Sequence, residues 1–468
     1  MTKATVVIIT LVVYKLLLVA IGLWAAKKTK SPDDFLLAGR GLGPIIAALS
    51  YSSSASSAWT LLGLSGMAYL VGLSSIWIAV GSLTGMVVAW YWIAPRLMQS
   101  SKINDQVTLT DFLMQDVTGD LRKPIVCLIS AIIIFSFVFY IAAQFQGAGS
   151  TFASVFGFSN SQSIIMGAVI IMLYTLLGGF WAVSMTDSVQ GLLMAVTAIL
   201  LPIAALIEVG GFQSFISALQ QTASPEQLSF TASNAGFYAL GAIFGSVAIG
   251  IGTFGQPHLL VRFMALRDSR ALQQARIIAV VWYLIVFLGM WFLGLVGHIL
   301  HANVANPETI FFVLTDSLFT PVLAAILLTA VLSAIMSTAD SQLLVVAGVI
   351  AHDLGLGGRD YVILTARLSV IALVVVAVLV SIYLPERIFD RVLFAWIALG
   401  SAFGPLVFFR LANIPVKSAG VLVSIMVGFL SAVSFYFIPD THKLMERLLP
   451  FVMALAVLFI FKQRMIVE

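Results

Sequence analysis

Residues 50–59 read SYSSSASSAW, and six of these ten positions are serine: Ser50, Ser52, Ser53, Ser54, Ser56 and Ser57. Apolar sequence flanks the stretch on both sides. At about 3.6 residues per turn, positions 52, 53, 54, 56 and 57 circle a helix completely. Small residues let helices pack closely, but one packing face does not account for a full ring of hydroxyls. A helix that is partly unwound, exposing carbonyls and hydroxyls to an internal polar site, does. In lipid, irregular backbone survives only where it is buried in protein or lines a wet cavity.

Composition agrees with a membrane setting. The 468 residues are 61% hydrophobic and 9% charged, against roughly 25% charged in soluble domains. Mean hydropathy is +1.08. Apolar runs of about 20 residues, enough to cross a bilayer, recur along the chain. Thirteen spans are predicted, at 4–26, 44–69, 71–95, 124–150, 161–179, 185–208, 234–261, 277–300, 319–350, 363–383, 390–411, 418–437 and 447–462. The first is too long for a signal-peptide core and is followed by KKTK at 27–30, so it is expected to be retained. With this span count, 18 Lys and Arg residues fall on one side, 5 on the other, and Lys15 lies inside the first span. The positive-inside rule then predicts a multi-pass plasma (inner) membrane protein with its N-terminus outside and its C-terminus in the cytoplasm. Lipid is the expected surroundings. The net charge of +4 is scattered over short loops and gives no surface for nucleic acid. Cys127 is the single cysteine, excludes an intrachain disulfide and reads as a packing residue.

A second span is as irregular as the first. GAIFGSVAIGIGTFGQPH, 241–258, carries Gly241, Gly245, Gly250, Gly252 and Gly255 ahead of Pro257. Gly costs about 1 kcal/mol and Pro about 3 kcal/mol in a helix interior relative to Ala. The glycines alone read rather as close helix packing. The two irregular spans are second and seventh in order. Broken spans at matching positions of two halves point to an inverted-repeat transporter with its site near the membrane midplane.

The ninth span supplies matching polar groups. In VLSAIMSTADSQ (331–342), Ser333, Ser337, Asp340 and Ser341 lie on one helical face, with Thr338 beside them. Oxygen ligands at this spacing suit a hard cation such as Na⁺; an interhelical hydrogen-bond seam is the other reading. An acid inside a membrane span is by default a functional candidate. Asp187, in GGFWAVSMTDSVQGLL, falls in the first turn of the predicted sixth span and reads either as a capping carboxylate or as a site residue.

The sequence resembles the sodium:solute symporter family, and within it the sodium/proline branch. The matching stretches are DFLLAGRGLGP (34–44), SAWTLLGLSG (57–66), GGFWAVSMTDSVQ (178–190), FGQPHLLVRFMA (254–265), MSTADSQLLV (336–345) and FAWIALGSAFGPLV (394–407). They run in family order over roughly residues 5–440. The resemblance implies an all-α, polytopic LeuT-type fold in one transmembrane domain over 1–468: an extra helix at 4–26, inverted five-helix repeats at 44–208 and 234–411, and C-terminal helices over 418–468. It implies Na⁺ as coupling ion, held by the backbone carbonyls of Ser53, Ser56 and Ala334 and the hydroxyls of Ser337 and Thr338. A second cation or proton site is expected at Asp187, Ser337, Asp340 and Ser341. The implied solute pocket uses Ser57, Ala58, Trp59, Tyr140, Ile249, Gly250 and Thr253. Taken alone, Trp59 and Tyr140 read as ordinary packing.

Two departures stand out. Ala55 occupies a position where proline carriers typically have aspartate, and Ile249 one where they have tryptophan; Ala58 for glycine is a smaller change. The function implied is a Na⁺-coupled secondary importer of proline or a similar small amino acid, working by alternating access. The alternatives are a Na⁺ or H⁺ symporter of the same fold for another amino acid, a monocarboxylate or a sugar, and a solute sensor that does not transport. The short tail ending at Glu468 disfavours the sensor. The absence of a GxxxxGK[ST] fingerprint disfavours a primary pump, and the five histidines form no spaced catalytic constellation, so no enzyme is expected.

Overall fold

A computed structural model describes residues 3–26, 32–175, 179–356, 358–384, 386–438 and 444–463. The basic stretch at 27–30, Lys443 and Arg464 lie outside the described residues. Helices fall at the positions of all thirteen predicted spans. They are α1 (Lys3–Ala26), α2 (Pro44–Ala55), α3 (59–71), α4 (76–103), α5 (Arg122–Phe156), α6 (Asn160–Thr175) and α7 (Phe180–Glu208). The second half holds α8 (Gly236–Val247), α9 (Pro257–Met264), α10 (Ser269–Leu300), α11 (Ile310–Leu318), α12 (Pro321–Gly348), α13 (Gly358–Tyr383), α14 (Ile388–Leu411), α15 (Ser418–Tyr436) and α16 (Leu449–Ile460). Ten apolar helical stretches are long enough to cross a membrane, while 160–172 within α6 and α16 are shorter. No strand occurs among the described residues, only two isolated bridges.

The second and seventh spans are broken, as their sequences predict. α2 ends at Ser56, whose φ and ψ of −106° and 48° leave the helical region, and the chain resumes as α3. In the seventh span α8 tightens into a 3₁₀ stretch, Ala248–Gly255. Gln256 is extended, and Pro257 opens α9 where its missing N–H costs nothing. The glycines of this stretch have separate jobs. A Cβ on Gly250 would strike the Gly81 carbonyl of α4, and one on Gly252 would strike the Trp396 ring of α14.

Burial separates core from periphery. In α14 and α12, 94% and 83% of the most apolar window is buried inside the protein, against 11% in α1. α1 is therefore an outer helix, and its exposed Val13, Leu16 and Leu17 suit a lipid contact. Its inner face carries Tyr14, whose hydroxyl meets Ser333 of α12. Lys15, unexplained by sequence, reaches the same helix: its Nζ lies 2.6 Å from Met336 Sδ. Cys127, read as a packing residue, is exposed on the outside of α5 instead.

Two carboxylates fasten the ends of the core. Glu308, buried ahead of α11, accepts the N–H groups of Ile388 and Phe389 and so caps the start of α14. In the 104–121 connection Asp111 accepts the N–H groups of Val107 and Thr108, and the His352 ring beyond α12 lies 3.2 Å away. Burial alone would raise the Asp111 carboxyl, but His352 and the two N–H groups together hold it below the usual carboxylate range. Thr108 bonds Asp353 as well. The connection is thus tied to the end of α12, a grouping around His352 that spacing along the chain does not reveal.

Candidate functional site

The break in the second span releases main-chain groups that an unbroken helix would pair with each other, and four of them have new partners. Ala58 N–H would bond to the Ser54 carbonyl; it donates instead to Gln144 Oε1 of α5 at 3.1 Å. The Ser54 carbonyl accepts from Thr338 Oγ1 of α12 at 2.9 Å. The Ser53 carbonyl accepts from Ser337 Oγ at 3.2 Å. The Ala55 carbonyl accepts from the Trp59 indole at 3.2 Å. Ser337 Oγ and Thr338 Oγ1 are also 3.2 Å and 3.1 Å from the Ala334 carbonyl.

Ser53, Ala334, Ser337 and Thr338, four of the residues expected at the first cation site, are therefore brought together. The Ser54 carbonyl lies among them; Ser56, expected to offer its carbonyl, is buried at the break itself and turns its N–H back to the Ser52 and Ser53 carbonyls. All of these residues are fully buried. The polar stripe of α12 divides in two, because Ser333 faces Tyr14 of α1 while Ser337, Thr338 and Ser341 face α2.

One turn from this group lies a buried ion pair that sequence reasoning missed. Arg262 of α9 is 1% exposed and Asp187 of α7 is 0% exposed, with Nη2 and Oδ2 2.8 Å apart. The same Nη2 lies 2.7 Å from Ser54 Oγ and 2.6 Å from Ser341 Oγ, Nε lies 2.8 Å from Ser50 Oγ, and Nη1 reaches the His258 carbonyl. The guanidinium thus joins α2, α7, α9 and α12. Its only sequence signal was a lone arginine in the apolar run 254–265. Asp187 is not an N-terminal cap: α7 begins at Phe180, after Gly179, and places Asp187 two turns in. Asp187 and Ser341 meet at Arg262, and Asp340 touches this group through Ser341, 3.4 Å away. Asp187 Oδ1 and Asp340 Oδ2 are buried without a hydrogen-bond partner among the described residues.

The expected solute residues other than Trp59 are buried near one line of contacts. Tyr140, one turn before Gln144 on α5, packs edge-on to Trp396 at 6.3 Å and to His258 at 6.1 Å. The Trp396 indole donates to the Ile249 carbonyl at 3.0 Å. Gln256 Nε2 bonds the carbonyls of Gly252 and Trp396, each at 3.0 Å. Ser57, Ala58, Ile249, Gly250 and Thr253 are buried around this line. Gly250 itself serves close packing on α4. The Trp59 ring points elsewhere, between Phe287 of α10 and Phe389 of α14.

Broken helices facing a hydroxyl-rich partner define a transport geometry, and comparison with known proteins decides which one. The model of the sodium:solute symporter family matches residues 35–428. The chain belongs to the sodium:solute symporter family. It is 35% identical to the osmoregulated proline transporter of Bacillus subtilis, covering 90% of this chain and 87% of the relative. It is 34% identical to the sodium/proline symporter of Escherichia coli K12, covering 92% and 88%. Among solved structures, a Na⁺-coupled sialic acid symporter in its substrate-bound outward-open state superposes with a TM-score of 0.78. That match has 15% identity and covers 98% of this chain and 99% of the other; it bears on the fold. The symporter is thus a multi-pass LeuT-type membrane protein that takes Na⁺ and a small solute, and it is not an enzyme.

Proposed function

We propose that this symporter imports proline or a closely similar amino acid, driven by one Na⁺ bound where α2 breaks against α12. The observation that carries the reading is the pairing of the Ser337 and Thr338 hydroxyls with the Ser53 and Ser54 carbonyls. With the Ala334 carbonyl, these are five oxygens from two spans, a set suited to a hard cation. A Na⁺ there ties α2 to α12, so ion binding and the position of the two bundles are linked. Coupling follows if Na⁺ favours the state that binds solute. The solute itself lies beside Ser57, Ala58, Tyr140 and the Ile249–Thr253 backbone. The proline transporter and the sodium/proline symporter, at 35% and 34% identity, support proline; Ile249 in place of an aromatic favours a wider choice of amino acid. In the expected second site, at Asp187, Ser337, Asp340 and Ser341, the Arg262 guanidinium occupies Asp187 and Ser341, which leaves Na⁺ to the first site.

The two repeats occupy 44–208 and 234–411 within a single domain, and the protein sits in lipid with its N-terminus outside. This orientation rests on the 18-to-5 division of basic residues, which keeps its sign when Arg262, buried in the core rather than in a loop, is set aside.

Reconstituted protein in liposomes tests the reading. Labelled L-proline is expected to accumulate under an inward Na⁺ gradient and not when K⁺ replaces Na⁺. Na⁺-dependent accumulation of a different amino acid, with none of proline, would overturn the solute assignment and leave the cation site standing.

A further inference from the structure

Gln144 is buried at 0% exposure, in the middle of a membrane helix. Its amide serves neither its own helix nor a helix-packing seam. Both ends are given to the break: Oε1 accepts Ala58 N–H at 3.1 Å, and Nε2 donates to Ser57 Oγ at 3.2 Å. Nearby, Gly147 brings α5 so close that a Cβ there would lie 2.9 Å from Ala58 Cβ. α5 therefore presents Tyr140, Gln144 and Gly147 to the unwound segment in successive turns.

The donor that Gln144 covers is a main-chain N–H at the head of α3, where the helix dipole favours negative charge. The charged donor that touches α2, Arg262, is committed to Asp187. A zwitterionic solute that reaches Ser57 and Ala58 must therefore place its carboxylate on neutral donors. The amide oxygen of Gln144 already sits on one of them, with the geometry of a carboxylate oxygen. Its Nε2 is a second donor within reach.

We propose that Gln144 is a specificity-determining residue that makes a carboxylate the recognised group of the solute. In the solute-free step of the cycle its amide holds Ala58 N–H. When the solute arrives, the carboxylate takes that N–H, and the amide turns so that Nε2 donates to the second carboxylate oxygen. A neutral hydrogen bond is exchanged for two charge-assisted ones, which are the stronger kind. A solute lacking the carboxylate gains neither and cannot displace the amide. This inference rests on the amino-acid reading given above.

The test is Na⁺-driven uptake of labelled L-proline by the full chain in liposomes, with unlabelled L-proline or L-prolinamide as competitor. Gln144→Asn, one methylene shorter, is expected to raise KM about tenfold with little change in maximal rate. Gln144→Glu puts a fixed negative charge where the solute carboxylate goes, and the preference for L-proline over L-prolinamide is expected to narrow about 30-fold or more. Stabilisation by Na⁺ alone, read as a melting shift, stays as in the native protein and reports a folded carrier. A structural plug would weaken both solutes equally. Equal weakening, or an unchanged preference in both variants, overturns the inference. If the native protein carries another amino acid, only the proline assignment falls, and the same ratio with that amino acid and its amide decides. If no carboxylate-bearing solute is carried, the Gln144 inference is overturned, while Na⁺ stabilisation would still uphold the cation site.

Discussion

Arg262→Met is expected to abolish uptake and to destabilise the protein by about 3–5 kcal/mol, the usual result of removing one partner from a buried ion pair. The pair is deeply placed: Arg262 and Asp187 are 1% and 0% exposed. Three serines and a main-chain carbonyl complete the guanidinium's partners. Without it, the Asp187 carboxylate is left among Ser50 and Ser54 hydroxyls with no counter-charge beside it. The loss is a matter of unpaired charge, so Arg262→Met/Asp187→Asn should recover most of the melting temperature. It should not recover uptake, because four helices lose their common tie. Raising Na⁺ should stabilise Arg262→Met more than the native protein, since Asp187, Ser54 and Ser341 then offer their oxygens to a cation. Melting curves of detergent-purified variants in Na⁺ and in K⁺ check each statement. A single variant as stable as the native protein would contradict the account of the pair.

Gly252→Ala is expected to lower the melting temperature and to reduce uptake at least tenfold. A Cβ at this position overlaps the Trp396 ring. The ring has nowhere easy to go, because its indole N–H holds the Ile249 carbonyl and its own carbonyl holds Gln256. Overpacking of this kind typically costs about 1–3 kcal/mol. It would also shift the 3₁₀ stretch against Tyr140, whose ring meets Trp396. Gly255→Ala should behave alike, since its Cβ meets the Leu399 carbonyl of α14. Gly22→Ala, in α1 with nothing near its Cβ, is the control and should change neither property. Thermal melts and initial uptake rates on the three variants settle the comparison.

The sequence made the breaks legible because their cause is local. A ring of serines and a run of glycines before proline are statements about the backbone at those positions. The α12 hydroxyls were legible for a similar reason: helical spacing alone puts Ser337, Thr338 and Ser341 near one face. What spacing along the chain could not disclose was which distant group each polar atom meets. Gln144 is 86 residues from Ala58 and Arg262 is 75 from Asp187, and no periodicity links them. Lys15 shows the same limit, because its partner helix lies 321 residues away. Asp187 falls in a first turn only if the span begins at 185; the helix takes in the apolar Phe180–Val183 as well, beginning after Gly179. Which carbonyls the break turns toward α12 depends on distant neighbours as well: those of Ser53 and Ser54 meet Ser337 and Thr338, each 284 residues away.

The Na⁺ site at the break is the centre of the account, and equilibrium binding of radioactive Na⁺ tests it most directly. Purified native protein and Ser337→Ala/Thr338→Val would be compared, with far-UV circular dichroism confirming a common fold. The account predicts that the double variant needs at least about tenfold more Na⁺ for half-saturation, a difference of roughly 1.4 kcal/mol or more. Half-saturation at the same Na⁺ concentration in both proteins would contradict it and place the coupling ion elsewhere.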